Sequence, residues 1–181
     1  MAKFYDHLND KLTQFVKEQK IFFTGSAAAE GRVNVSPKGT DTLRVLNEKQ
    51  ILWLNLTGSG NETAAHLKAF NRLTLMFCAF DGPPLILRIY GRAKTIHRQD
   101  AEWDEYYRHF NPDKGARNIF LLEIETVQTS CGFAVPLMDY KEDRDLLTKS
   151  MNKKTDEEIQ AYWKEKNSES IDGLPTGLFD Q

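Results

Sequence analysis

The hydrophobic pattern changes its period after residue 20, and this change constrains the fold more than any other feature of the sequence. Between residues 21 and 98, apolar residues alternate or cluster in short segments that tight turns separate, as antiparallel strands require. Only one short helical stretch, near 62–71, interrupts these segments. Parallel strands need a long crossover between them, so the pattern predicts an antiparallel barrel.

Five segments carry this prediction. Residues 21–37 and 42–56 each read as two strands joined by a turn. Residues 85–98 and 117–133 each read as one long strand, and the nearly continuous apolar run 73–80 reads as another strand. Gly91 lies inside the segment 85–98 and predicts a bulge, because a glycine within a strand often marks extra twist.

Helices are predicted at the two ends of the chain. Apolar residues at three- and four-residue steps predict an amphipathic helix over 3–19. After Pro136 the chain is charged and is predicted to be helical through Asn167. We therefore expect one barrel domain with its N-terminal helix, residues 1–136, and a helical C-terminal arm, residues 137–181, that packs on the barrel or on a dimer partner.

Charge and composition exclude several classes of protein. The 24 basic and 26 acidic side chains give a net charge of −2, which argues against nucleic acid as a partner. No apolar run is long enough for a membrane span and the N-terminus lacks a signal-peptide core, so we expect a cytoplasmic protein without a membrane partner. Two cysteines and four histidines have no metal-ligand spacing, so no metal site is expected.

Residues 21–100 carry ten basic and six acidic side chains, so the middle of the chain is mildly basic. A basic middle suits a small anion. Neither a G-x-S-x-G nucleophile motif nor a Walker A loop occurs, which disfavours hydrolases and P-loop enzymes.

The loop from Thr57 to Thr63 is the best local signal for such an anion. It joins a strand to a helix, so its backbone N–H groups and the helix dipole can hold a phosphate. Ser59 and Glu62 also have capping-box spacing, and a simple helix cap remains an alternative. A dinucleotide fingerprint is disfavoured because its third glycine is replaced by Thr63 and no repeated βαβ unit follows.

Two further segments can contact an anion. Val35 to Gly39, VSPKG, ends a strand with a hydroxyl and a cation, although on the segment alone a plain turn is the favoured explanation. Arg88 stands between Leu87 and Ile89 in an apolar strand, where a charge needs a partner or an anionic ligand unless its face meets solvent.

Together these segments resemble the FMN-binding split-barrel proteins related to pyridoxamine 5′-phosphate oxidase. The resemblance lies in five motifs in order, and it covers the chain from about residue 20 to the end. The motifs are VSPKG (35–39), GSGNET (58–63), ILRIYGRA (86–93), SCGFAVP (130–136) and NSESIDGLP (167–175).

The resemblance implies a mainly β protein, a six-stranded antiparallel split barrel with flanking helices, that forms a homodimer with FMN at the interface. Ser36 and Lys38 then edge the flavin, the loop binds its ribityl chain and phosphate, and Arg88 is a further phosphate ligand. The implied cofactor-binding residues are Val35, Ser36, Pro37, Lys38, Thr57, Gly58, Ser59, Asn61, Glu62, Thr63 and Arg88.

The chain also departs from the oxidase that gives the family its name. Asn61-Glu62 replaces that enzyme's Arg-Lys pair, and SIDGLP stands where its pyridoxal-phosphate-binding segment would be. The resemblance therefore implies a flavin oxidoreductase that acts on an unidentified small molecule, with NAD(P)H as a candidate donor and no assigned catalytic residue. The alternative is a non-catalytic flavin or haem carrier or a stress-response protein on the same barrel; haem needs an axial ligand, for which His66 is the candidate.

Overall fold

The strands form a single antiparallel sheet that curls into a split barrel with helices on its flanks. The computed structural model describes residues 2–180. The eight strands are β1 (Lys3–Tyr5), β2 (Phe22–Ser26), β3 (Asn34–Lys38), β4 (Leu43–Asn47), β5 (Gln50–Leu56), β6 (Arg72–Cys78), β7 (Ile86–His97) and β8 (Ala116–Ser130). They follow the order β3-β2-β6-β7-β8-β5-β4, and β1 pairs with β8.

The predicted fold class is confirmed, but the count of six strands is wrong. The length of β8 accounts for one of the two additional strands, β1, since its 15 residues offer more edge than one partner covers. On one edge β8 pairs with β7 along almost its whole length. On the other edge β5 covers Ala116–Glu123, and the short β1 covers Val127–Thr129 beyond it.

The core lies on both faces of the sheet at β5. Ile51 and Trp53 pack into one apolar cluster, whereas Leu52 and Leu54 pack into a second cluster on the opposite face. All four residues are buried, because the barrel interior covers one face and Trp103 helps to cover the other. A strand buried on both sides reads as a continuous apolar run, as ILWLNL does.

A bulge interrupts the ladder between the two longest strands, as Gly91 predicts. The register between β7 and β8 shifts between Tyr90 and Gly91. A Cβ atom at residue 91 would lie 2.9 Å from the carbonyl carbon of Glu123 and closer still to its oxygen. Only glycine lets the two backbones approach this closely.

Five helices accompany the sheet: α1 (Asp10–Glu18), α2 (Glu62–Ala69), α3 (Trp103–Tyr107), α4 (Leu146–Asn152) and α5 (Asp156–Lys166). The predicted helix over 3–19 is wrong in its first turns, because Phe4 lies in β1 and is exposed. The helix begins only after Asn9, whose side-chain oxygen accepts a hydrogen bond from the backbone N–H of Leu12 at 3.0 Å. Within residues 2–180, no helix is both long and apolar enough to cross a membrane.

The C-terminal arm contains two helices, and the expectation of one helical run from Pro136 is wrong. Residues 131–145 form no helix or strand. A second helix starts at α5 because Thr155 caps it: its hydroxyl accepts from the backbone N–H of Glu158, and the Glu158 carboxylate accepts from that of Thr155. Trp163 of α5 is buried in a third apolar cluster. The division of the chain at residue 136 stays a prediction.

Candidate functional site

One cleft of about 870 Å³ contains most of the residues that the sequence singles out. Its walls come from β3, β5, the loop 57–61, the start of α2 and the C-terminal arm. The two anion-capable segments predicted from the sequence, VSPKG and GSGNET, therefore meet in space although about twenty residues separate them.

Nine of the eleven predicted residues line this cleft. They are Ser36, Pro37, Lys38, Thr57, Gly58, Ser59, Asn61, Glu62 and Thr63. Val35 alternates with Ser36 along β3 and is exposed. Arg88 lies on β7, where its Nη1 donates to Ser130 Oγ at 3.3 Å, and the structure does not bring it to the cleft.

The beginning of the loop is held by three hydrogen bonds at Thr57. Its backbone N–H donates to the carbonyl oxygen of Gly115 at 2.8 Å, and its hydroxyl donates to the same oxygen at 2.9 Å. The indole N–H of Trp163 donates to that hydroxyl at 2.9 Å. Thr57 therefore ties the loop both to the start of β8 and to the C-terminal arm.

The C-terminal arm also closes over the middle of the loop. Asn167 Nδ2 donates to the carbonyl oxygen of Gly58 at 3.1 Å. The Glu62 carboxylate accepts the backbone N–H of Ile171 at 3.1 and 3.2 Å. The capping box expected from Ser59 and Glu62 does not form, because α2 begins after Asn61 without a side-chain cap.

Arg117 is a cleft residue that the sequence reasoning missed. It lies on β8 with 2% of its surface exposed, and its Nη1 donates to the carbonyl oxygen of Gly60 at 3.0 Å and to Asn167 Oδ1 at 2.5 Å. Its Nε is buried without a hydrogen-bond partner. Within residues 2–180 no carboxylate pairs with this guanidinium, and burial lowers its pKa, although the group keeps its charge at neutral pH.

Buried amides next to Arg117 leave further donors unpaired. Asn55 Nδ2 donates to Asn61 Oδ1 and to Asn118 Oδ1, each at 3.1 Å. The Nδ2 atoms of Asn61 and Asn118 are buried and lack a partner. Of these two residues Asn61 lines the cleft, and an unpaired donor there suits a ligand that is rich in acceptor oxygens.

Lys38 places a second cation in the cleft. Its Nζ donates to Ser36 Oγ at 2.8 Å and lies 5.3 Å from the centroid of the Trp53 ring. Burial, helped by the positive charge of Arg117, lowers the pKa of Lys38 to about 8. An anion bound between the two cations would relieve their repulsion.

His66, the candidate haem ligand, lines the cleft with only 1% of its surface exposed. Its Nδ1 lies 3.0 Å from the hydroxyl oxygen of Ser26. Among residues 2–180, no group of three or more His, Cys, Asp or Glu side chains converges in a way that could hold a metal ion.

The family model for pyridoxamine 5′-phosphate oxidase matches residues 8–131. The chain belongs to the pyridoxamine 5′-phosphate oxidase family. It is 37% identical to the pyridoxamine 5′-phosphate oxidase family protein ustO of Aspergillus flavus, over 97% of this chain and 78% of that protein. The match to the family model covers β2 to β8, and the match to the relative also includes the C-terminal arm.

Solved structures share the fold of the family at low sequence identity. HupZ of Group A Streptococcus superposes with a TM-score of 0.52 and 12% identity, over 66% of this chain and 91% of that chain. A Lactobacillus delbrueckii protein described as a candidate pyridoxamine 5′-phosphate oxidase gives a TM-score of 0.53 and 18% identity, over 68% of this chain and 94% of that chain.

Proposed function

We propose that this chain binds FMN in the cleft and acts as an oxidoreductase on a small organic molecule. The observation that carries the proposal is a pair of unpaired buried donors at Asn61 and Arg117, which line the cleft together with Lys38. Within residues 2–180, neither Arg117 nor Lys38 has a carboxylate partner. Buried donors without partners are costly, so they favour a ligand that supplies acceptors and negative charge.

FMN meets both requirements and suits the size of the cleft. Its phosphate ester is an acceptor-rich anion, and its ring and ribityl chain carry carbonyl and hydroxyl groups. A volume of about 870 Å³ lies within the roughly 300–1,000 Å³ that is usual for cofactor sites. Membership of the pyridoxamine 5′-phosphate oxidase family supports the same cofactor.

Different residues of the cleft would bind the phosphate, the ribityl chain and the ring of the cofactor. Arg117 and Asn61 would hold the phosphate with charge-assisted hydrogen bonds. The hydroxyls of Thr57 and Ser59 can bind the ribityl chain, and Lys38 would place a positive charge at the ring. A bound flavin accepts or delivers a hydride at N5, and the protein orients it and supplies the electrostatics.

A homodimer is part of the proposal. β3 is an edge strand, and Val33 and Val35 expose 70% and 66% of their surface next to the cleft. Leu147 and Ile171 line the cleft and are also exposed. A second copy would cover this apolar rim and protect the free edge of the sheet. Light scattering should give twice the monomer mass, and a monomer at micromolar concentration would exclude a dimer-interface cofactor.

FMN binding comes first among the experiments. We expect purified protein to quench the fluorescence of added FMN with saturation, and a preparation that neither retains nor binds FMN would refute the proposal. The second step mixes the FMN-loaded protein anaerobically with NADH or NADPH and follows the visible flavin band. Prompt bleaching, followed by recovery with an acceptor, identifies an oxidoreductase.

FMN binding without reduction by any of several donors would favour the second class of function, a flavin carrier. Haem binding has less support, because His66 is almost completely buried and its Nδ1 is hydrogen-bonded with Ser26. The cytoplasmic location expected from the sequence belongs to this proposal as well, and fractionation of cells that express the full-length protein tests it.

A further inference from the structure

Arg117 is a buried cation that no carboxylate contacts in the part of the chain that the structure describes. Removing a guanidinium from water is expensive unless other charges or hydrogen bonds compensate for the loss of solvation. Within residues 2–180 the protein offers Arg117 only two acceptors, both neutral: the carbonyl oxygen of Gly60 and the side-chain oxygen of Asn167. Neither of them neutralises the charge, so an important part of the compensation is absent from the protein itself.

The two neutral acceptors bind the same atom of the guanidinium. Both Gly60 and Asn167 accept from Nη1, whereas Nε is buried without a partner and Nη2 makes no hydrogen bond within residues 2–180. Nε and Nη2 form the side of the guanidinium that binds two oxygens of one phosphate or carboxylate in parallel. The protein thus fixes one corner of the group and leaves its bidentate edge free.

A third unpaired donor belongs to the loop that Arg117 contacts. Asn61 follows Gly60 in the loop, and its Nδ2 is also buried without a partner. Both Arg117 and Asn61 line the cleft, and each exposes only 2% of its surface. Two residues on different elements therefore line the same cleft, and each has an unused buried donor.

We propose that Arg117 is the residue that anchors the phosphate of the cofactor, and that Asn167 of the C-terminal arm is its positioning residue. This inference rests on the proposed function, because it names the group that binds one part of FMN. It replaces Arg88, the phosphate ligand implied by the resemblance, with an arginine from another strand. Asn167 acts by holding Nη1, so that the opposite edge stays aimed into the cleft.

FMN and riboflavin differ only in the phosphate, so the ratio of their affinities tests the anchor directly. In Arg117→Met we expect the preference for FMN to fall by about 10- to 100-fold, the range for losing a charge-assisted contact, while riboflavin affinity stays within about twofold. Arg92→Met, which removes an exposed arginine paired with Glu125, is the matched control and should leave the ratio unchanged.

The variant Asn167→Asp tests whether Arg117 anchors the phosphate or has a purely structural role. It leaves Arg117 in place, so the test remains possible if the Arg117 variant fails to fold. It keeps the shape of the side chain and gives Arg117 the carboxylate that it lacks, 2.5 Å from Nη1 in the native geometry. We expect a preference for FMN at least about tenfold lower, since the protein now satisfies the charge itself. The substitution also removes the amide that donates to Gly58, so circular dichroism must show that the variant is folded. An unchanged ratio in a folded variant indicates a purely structural role and would overturn the inference.

The remaining outcomes are also decisive. Loss of FMN preference in Arg88→Met but not in Arg117→Met would return the anchor to Arg88 and refute the inference. Wild-type protein that binds neither flavin refutes the proposed function, and thermal shifts with inorganic phosphate then decide the role of Arg117 alone. A phosphate-dependent shift that Asn167→Asp abolishes supports an anion site at Arg117, whereas no shift in the wild type refutes it.

Discussion

The lowered pKa of Lys38 predicts that FMN binding weakens as the pH rises from 7 to 9. Lys38 has a pKa of about 8 in the free protein because it is buried and close to the charge of Arg117. A bound anion favours the charged lysine and raises its pKa in the complex. The affinity for FMN is therefore highest below pH 8, where Lys38 is already protonated. Above pH 8 the affinity falls, because binding then requires the uptake of a proton by Lys38.

The size of the effect follows from the two protonation states. With a pKa of about 8, roughly nine-tenths of the Lys38 side chains are charged at pH 7 and roughly one-tenth at pH 9. If the lysine stays charged in the complex, the Kd for FMN rises about tenfold between these values, which corresponds to about 1.4 kcal/mol. The phosphate contributes little to this change, because the second pKa of a phosphate monoester is about 6.

Fluorescence titrations of FMN at half-unit steps of pH measure this dependence. Lys38→Met keeps much of the apolar stem but has no proton to gain, so its Kd should be flat from pH 7 to 9 and close to the wild-type value at pH 9. Circular dichroism at both ends of the range confirms that each protein stays folded. A wild-type Kd that changes less than twofold, or an equal rise in Lys38→Met, would show that this lysine does not couple to the ligand.

Two substitutions test the fold on which the site depends. Gly91→Ala places a methyl group against the backbone of Glu123, so we expect the free energy of unfolding in urea to fall by more than about 3 kcal/mol. Gly25→Ala is the control, because its new Cβ would meet only ordinary contacts. A similar loss in both variants would contradict the close approach at the bulge. Thr155→Ala removes the cap of α5 and should lower the free energy of unfolding by about 0.5–2 kcal/mol in the same measurement. Thr155→Ser is the control, because it keeps the hydroxyl. An unchanged stability in Thr155→Ala would show that the hydrogen bond from Glu158 contributes nothing.

The strands were predictable wherever local pattern and burial agree. Leu87 and Ile89 alternate with Arg88 on β7, and both are fully buried. The glycine bulge was equally visible, because its cause is local. The strand β1 was not, since three residues form a strand only when a distant edge of β8 receives them. Apolar spacing near Phe4 fits a helix as well as an exposed strand, and tertiary pairing decides between them.

The loop segments of the candidate site were predictable for a similar reason. Glycines and small polar residues between a strand and a helix indicate an anion-capable turn without knowledge of the rest of the fold. Arg117 carries no such local signal: it is one cation in a strand, and its significance comes from Gly60, 57 residues earlier, and Asn167, 50 residues later. Arg88 shows the opposite case, a cation with a suggestive local context that the fold directs toward Ser130.

The hydrogen bond between Arg117 and Asn167 also determines when the cleft can be completed during synthesis of the chain. The 50 residues between them take about 3–10 s to translate at roughly 5–20 residues per second. Once β8 has been synthesised as far as Ser130, all barrel strands exist, but the guanidinium still lacks one of its two acceptors and Gly58 lacks its bond to the arm. A pocket completed by residues 163–171 can reach its final shape only after those residues leave the ribosome. Cofactor loading would then follow synthesis of the arm, and a nascent chain stalled before it would have a barrel with little power to retain its ligand.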